Sequence, residues 1–186
     1  MAALFFSLVL TVVLPTITAV TNDSRSDFIR TSCDTTLYPS LCYDSLSVYS
    51  DSIKQSPSQL ARAAVSVSLK STQKASALVA RLGHSTREHG SVRDCAENLA
   101  DALDQVKRSA RELSRLSRAG FRLQMGNVQT WLSAAITNDD TCMDGFDGSG
   151  ESDGGGVTAL SGRVSCAKQV TSNALALVNN LAETQE

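Results

Sequence analysis

SVRDCAENLADALDQVKRSARELSRL occupies residues 91–116, and its reading decides the fold. Val92, Cys95, Leu99, Leu103, Val106, Ala110 and Leu113 recur at spacings of three and four, which defines one buried face of a long helix. Three further stretches carry the same period. Residues 58–82 place Leu60, Ala64, Val67, Leu78 and Leu82 on a stripe completed by Ser71 and Ala75. Pro57 supplies a start for that helix and Gly83 a stop. Residues 125–146 place Val128, Trp131, Leu132, Ala135, Cys142 and Phe146 together, and residues 157–181 do so for Leu160, Val164, Ala167, Val170, Ala174, Leu177 and Leu181. Near-equal amphipathic helices joined by short links favour antiparallel neighbours. The expected fold is all-α: an up-down-up-down four-helix bundle over residues 57–183. No internal repeat supports a solenoid.

The composition agrees. The 186 residues are 42% hydrophobic and 19% charged, which suits a packed core, and only 5% are aromatic with three prolines. Aliphatic and small side chains at this level favour helices over a β-sandwich or barrel. Seventeen basic and 19 acidic residues give a net charge of −2, against a dedicated nucleic-acid binder.

Residues outside the bundle read differently. Residues 1–20, MAALFFSLVLTVVLPTITAV, carry no charge, and their apolar stretch is too short to span a membrane. Pro15 breaks it and Ala19 is a small residue suited to cleavage, so residues 1–19 read as a signal peptide, although a basic n-region is missing. The remaining chain, 20–186, is expected outside the cell, with no membrane association after signal removal. Asn22-Asp23-Ser24 is then a candidate glycan acceptor. Residues 26–52 form a unit of their own. Asp27-Phe28-Ile29 starts a short helix, Tyr38-Pro39 breaks it, and Leu41, Leu46 and Val48 suggest a second, giving a small helical hairpin. Residues 147–156 hold five of the 11 glycines and no apolar side chain. They lack the Gly-Lys-Ser/Thr ending of a phosphate cradle and read as a flexible connector.

Five cysteines in a secreted chain are expected to be mostly paired. The count alone leaves many arrangements open, but spacing narrows them. Cys33 and Cys42 flank the Tyr38-Pro39 break, so a bridge there clamps the hairpin. Cys95 and Cys142 lie on adjacent long helices and are equidistant from a turn beside Gly120, which sets them at one height in an antiparallel pair. Cys166 is left over and reads as a buried, inert thiol.

Catalytic and metal chemistry find little material. There is no Cys-x-x-Cys, and the two histidines, His84 and His89, fall in the expected Gly83–Gly90 link. No Gly-x-Ser-x-Gly elbow exists, and the carboxylates Asp139, Asp140 and Asp144 read as a helix surface. No enzymatic role, metal or cofactor is expected; the chain reads as a binding module. Two surface features could serve binding. Arg108, Arg111, Arg115, Arg118 and Arg122 would form one basic stripe on a continued helix. Ser133, Thr137, Asp140, Thr141 and Asp144 recur on the outward face of the third bundle helix, where short side chains lose little entropy on docking.

Residues 127–146, NVQTWLSAAITNDDTCMDGF, closely resemble the signature of plant pectin methylesterase inhibitors. Residues 33–42, CDTTLYPSLC, look like that family's N-terminal hairpin with its cysteine spacing, and Asp94-Cys95 before a long helix matches its third cysteine. The resemblance covers about residues 27–181.

It implies an extracellular inhibitor of the plant cell wall: a four-helix bundle with an N-terminal hairpin and bridges Cys33–Cys42 and Cys95–Cys142. Such inhibitors bind a plant pectin methylesterase one-to-one and non-covalently, covering the cleft that receives the sugar chain. Binding in the family is typically stronger at mildly acidic pH, to which Asp140 and Asp144 are candidates to contribute. The contact residues expected here are Ser133, Thr137, Asp140 and Thr141, helped by the second bundle helix. The alternative is the sister branch that inhibits acid invertases. Its members carry Pro-Lys-Phe before the third bundle helix, where this chain has Gly120-Phe121-Arg122-Leu123-Gln124-Met125. Larger pectinesterases carry the module as a pro-region; with Glu186 as the last residue, no catalytic domain is expected here.

Overall fold

The computed structural model describes residues 17–85, 90–146 and 155–184, with side chains from residue 24 onward and excluding residues 84 and 85. The elements are α1 (Ile17–Cys33), α2 (Pro39–Leu46), a 3-10 turn (Ser47–Tyr49), a single-turn α3 (Ser50–Ile53), and four long helices, α4 (Pro57–Ser85), α5 (Gly90–Ser114), α6 (Phe121–Asp144) and α7 (Gly155–Glu183). Helix α4 packs on α5 and α7, and α6 packs on the same two. Short links between successive helices therefore close an up-down-up-down four-helix bundle.

Each helix forms because its apolar residues share one face. In α5 the buried positions are Val92, Cys95, Leu99, Ala102, Val106, Ser109 and Leu113. Leu103 is only half-buried, because Ala102 occupies the deep position where the helices approach. In α4 the deepest residues are Leu60, Ala61, Ala64, Val65, Ser68, Thr72, Ala75 and Val79. Val67, Ser71, Leu78 and Leu82 flank them half-buried, as does Trp131 on α6. The true stripe of α4 is rotated from the apolar one because it includes Ser68 and Thr72. Gly83 does not stop α4, which runs through it to Ser85.

Two apolar clusters fill the bundle. One gathers Leu60, Val65, Val106, Leu132 and Leu177 with the hairpin's Ile29, Leu46 and Ile53. The other gathers Val79, Val92, Leu99, Phe146, Leu160 and Val164. Between them, in helix register, lie buried polar residues: Ser68 and Thr72 on α4, Asp139 on α6 and Thr171 on α7. Ser68 and Thr171 join hydroxyls at 2.7 Å across the bundle, and both threonines donate to their own helix, Thr72 to Ser68 O and Thr171 to Ala167 O. These bonds satisfy the hydroxyls where water is excluded.

The hairpin docks on one side. Helix α1 starts at Ile17 rather than near Asp27, since no proline or glycine interrupts residues 17–33. It therefore runs through the expected cleavage position at Ala19 and through Asn22, whose side chain lies outside the described residues. The rest of the 1–19 segment lies outside them too, as do residues 147–154 of the expected connector. Cys33 and Cys42 are bonded with Cα atoms 5.6 Å apart, tying α1 to α2. Asn173 of α7 then grips the hairpin turn with both ends of its amide. It accepts from Tyr38 N–H at 3.1 Å and donates to Tyr38 O at 3.0 Å. Asn180 donates to Thr35 Oγ1 at 2.8 Å. Before α4 the chain reverses through two left-handed residues, Lys54 (φ 48°) and Gln55 (φ 59°). Gln55 donates to Ser24 O at 3.0 Å, which holds this reversal against α1. The hairpin covers α4 and α7 and leaves the outer faces of α5 and α6 uncovered.

Candidate functional site

The uncovered face is built on α6, whose inner side is anchored by Leu132, Ala135 and Cys142. Cys142 is bonded to Cys95 of α5 with Cα atoms 4.0 Å apart, so the two helices are stapled near one end. On the outer side, Ser133, Thr137 and Thr141 are exposed and four residues apart, so they stand in one line. Thr141 donates to Thr137 O at 2.9 Å, Thr137 to Ser133 O at 3.2 Å, and Thr130 extends the row by donating to Gly126 O at 2.8 Å. Each threonine rotamer is thereby fixed on its own helix, and its oxygen keeps a free acceptor direction outward. Little rotamer entropy remains to be lost on docking.

Asp140 is placed differently. Its carboxylate is half-buried against Lys168 of α7, with Oδ1 and Nζ 2.5 Å apart. The hydrogen bond that the Lys168 ammonium donates to this carboxylate is the main reason that the ammonium's pKa is held above its ordinary value. Gln129 also reaches α7, donating to Asn179 Oδ1 at 3.0 Å, whereas Asn138 points the other way and donates to Gln105 of α5 at 3.2 Å. The row of hydroxyls thus has Asp140 and Lys168 on its α7 side. The neighbour that shares this carboxylate is α7.

Asp139 corrects a sequence expectation. It is not on the helix surface but 1% exposed, at the core position between Ala135 and Cys142. Its two carboxylate oxygens have no hydrogen-bond partner. Burial, helped by the charge of Asp140 and opposed by that of Lys168, pushes its pKa from 3.8 to about 7. An amphipathic count cannot find this residue, because an aspartate scores as surface wherever it stands.

Two other expectations change. Cys166 is a free thiol but exposed, not buried; it lies one position outside the core residue Ala167 on α7, and Ser71 Oγ approaches its sulfur at 3.6 Å. The arginines do not form a stripe on one helix, because α5 ends at Ser114. Arg108 is paired with Asp104 on α5 at 2.7 Å, while Arg115 and Arg118 fall in the turn and Arg122 opens α6. Among the described residues, no group of three His, Cys, Asp or Glu side chains could hold a metal ion. The side chains of His84 and His89 lie outside the described residues. No described helix is long and apolar enough to cross a membrane.

Fold and surface together define a disulfide-stapled helical module with an exposed, polar helix face. The family model described as plant invertase/pectin methylesterase inhibitor matches residues 27–177, and the chain belongs to this family. It is 43% identical over 183 residues to the 21 kDa protein of Daucus carota, covering 95% of this chain and 94% of that one. It is likewise 43% identical to pectinesterase inhibitor 9 of Arabidopsis thaliana, covering 92% and 89%. A crystal structure of a mutant form of an Arabidopsis pectin methylesterase inhibitor superposes with a TM-score of 0.65 over 81% of this chain and 95% of that one. At 19% identity that match establishes the shared all-α fold. Several relatives of this chain, pectinesterase inhibitor 9 among them, are named as inhibitors of an enzyme.

Proposed function

We propose that this chain is a secreted inhibitor of plant pectin methylesterase that works by occlusion. After removal of residues 1–19 it acts in the extracellular wall space as a monomer. It forms a non-covalent one-to-one complex that covers the pectin-binding cleft. The observation that carries this reading is the row Ser133, Thr137 and Thr141, exposed on a helix whose inner face is stapled by a disulfide. The row and its neighbour Asp140 form a rigid, polar, hydroxyl-rich strip suited to a groove that normally receives a hydroxylated polymer. Forty per cent identity or more to several named pectinesterase inhibitors directs the reading to that enzyme.

The test is titration of a purified plant pectin methylesterase with the mature protein, read as methanol release, with an acid invertase as a parallel arm. The expected result is stoichiometric loss of esterase activity, a complex mass of one copy of each chain, and no effect on invertase. Thr137→Ala with Thr141→Ala is expected to weaken inhibition about tenfold or more while leaving thermal stability unchanged, as fixed central contacts do in interfaces. Undiminished inhibition by that variant would move the contact surface off the α6 row. Loss of invertase activity alone would transfer the chain to the other branch of the family.

A further inference from the structure

The charge of the molecule is concentrated in one place. Residues 107–122 hold six of the 17 basic side chains and one of the 19 acidic ones, so the remainder of the chain is strongly acidic. The fold gathers this segment at the end of the bundle where α5 stops and α6 begins. Arg111, Arg115, Arg118 and Arg122 are all exposed, and among the described residues none of them makes an ion pair. Arg118 and Arg122 line an open groove with Phe121, Gln129, Asn179 and Glu183. Glu183 shares the groove without pairing to either arginine. On the other side, Arg62 of α4 brings a further guanidinium to this end, donating to Leu113 O at 3.0 Å.

The turn that carries the arginines is fixed rather than loose. The Gln124 amide accepts from Ser117 N–H at 2.9 Å and donates to Arg115 O at 3.1 Å, clamping both ends of the Arg115–Ser117 segment. Ser117 Oγ in turn accepts from Gly120 N–H at 3.2 Å. A Cβ on residue 120 would lie 3.1 Å from both Gln124 Oε1 and Ser117 Oγ, so any larger residue would crowd the two side chains that fix the turn. Gly120 also provides no side-chain cap, so the positive end of the 24-residue α6 opens beside Arg118 and Arg122. Arg118 and Arg122 thus share one groove on a fixed turn, next to an uncapped helix start, and the Glu183 carboxylate that lines the groove with them pairs with neither.

We propose that the α5–α6 turn is a binding site for de-esterified polyuronide, the carboxylate-bearing polymer that a pectin methylesterase leaves behind. This rests on the functional reading above, which places the chain where that polymer is made. Guanidinium forks match planar carboxylates with two parallel hydrogen bonds, and five of the six basic residues in the segment are arginine. The site is separate from the α6 row, whose nearest member, Thr130, lies eight residues beyond Arg122. The acidic remainder of the chain repels a polyanion beyond this end, which favours one strand lying across the turn over a broad anionic surface. Binding here would hold the inhibitor on the polymer at places where its target has already worked.

The experiment measures binding of the mature, oxidised protein to polygalacturonate, to the same polymer fully methyl-esterified, and to phosphatidylserine vesicles. Binding to polygalacturonate is expected, falling steeply with added salt, with neither of the other two bound. Arg115→Gln, Arg118→Gln and Arg122→Gln together are expected to weaken it at least tenfold, with unchanged circular dichroism and undiminished inhibition of the esterase. Gln124→Ala, which changes no charge, is expected to weaken it about threefold by releasing the turn. Equal binding of the esterified polymer, preference for the vesicles, or full retention by the triple variant would each overturn the proposal. Loss of esterase inhibition in the wild-type protein with uronide binding intact would instead sink the functional reading and leave this site standing.

Discussion

Asp139→Asn should change how stability depends on pH, and the size follows from where the carboxyl sits. With its oxygens unpartnered and the side chain 1% exposed, the ionised form loses its water and gains no hydrogen bond in return, and the charge of Lys168 offsets only part of that loss. The fold therefore holds the proton up to a pH of about 7, while the unfolded chain releases it near 3.8. A raise of roughly three pKa units corresponds to about 4 kcal/mol at about 1.4 kcal/mol per unit. The sign is that of a raised pKa: the folded state binds the proton more tightly than the unfolded one. The contribution is fully present below 3.8, shrinks as pH rises through the window, and is gone above about 7. Between about pH 5 and pH 8 the wild-type protein should lose about 3 kcal/mol from this group alone. Asparagine has nearly the same shape and does not titrate. The variant should be close to wild type near pH 5 and more stable by about 2–3 kcal/mol near pH 8, after a cost of about 1–2 kcal/mol for burying its amide. Urea unfolding followed by circular dichroism, with disulfides intact, gives both profiles, and their difference removes every other titrating group. Parallel profiles from pH 5 to pH 8 would refute the reasoning, since Asp139 would then have the same proton affinity folded and unfolded.

Other consequences are equally direct. Replacing Cys95 and Cys142 by serine opens a link between residues 47 apart and should cost about 4 kcal/mol by loop entropy, read as a lower urea midpoint in oxidised protein. Asn173→Ala removes both hydrogen bonds to Tyr38, whose backbone N–H and C=O then lose their bundle partners. A loss of about 2 kcal/mol is expected, with faster amide exchange confined to the hairpin. Cys166 is exposed, so native protein without reductant should take up one equivalent of a maleimide and its melting temperature should hold. Labelling only after denaturation would return that thiol to the core.

Much of the architecture was legible because it is written locally. The 3.6-residue period of Val92, Cys95, Leu99, Val106 and Leu113 describes one face of one helix and needs no knowledge of its neighbours. The heights of Cys95 and Cys142 follow from counting away from a turn, and the structure joins them. The row at Ser133, Thr137 and Thr141 was likewise a matter of spacing four along one helix. Boundaries were less accessible: α4 passes through Gly83 and α1 reaches back to Ile17, since a single glycine or a polar segment does not by itself end a helix.

By itself, then, the sequence determined the four amphipathic helices, the hairpin before them and the pairing that staples both, since each depends on period or on distance along the chain. What only tertiary structure decided is which polar groups water can reach. Ser68, Thr72, Asp139 and Thr171 look like surface residues and are core, because facing helices close over them. Cys166 looks like core and is exposed, because α7 turns it away from the bundle axis. Asp140 meets Lys168 only because α6 and α7 pack side by side, and Arg115 and Arg118 leave the helical stripe for the turn only because α5 stops at Ser114. Burial and charge pairing depend on atoms from helices far apart in sequence, and no local pattern reports where those atoms come to rest.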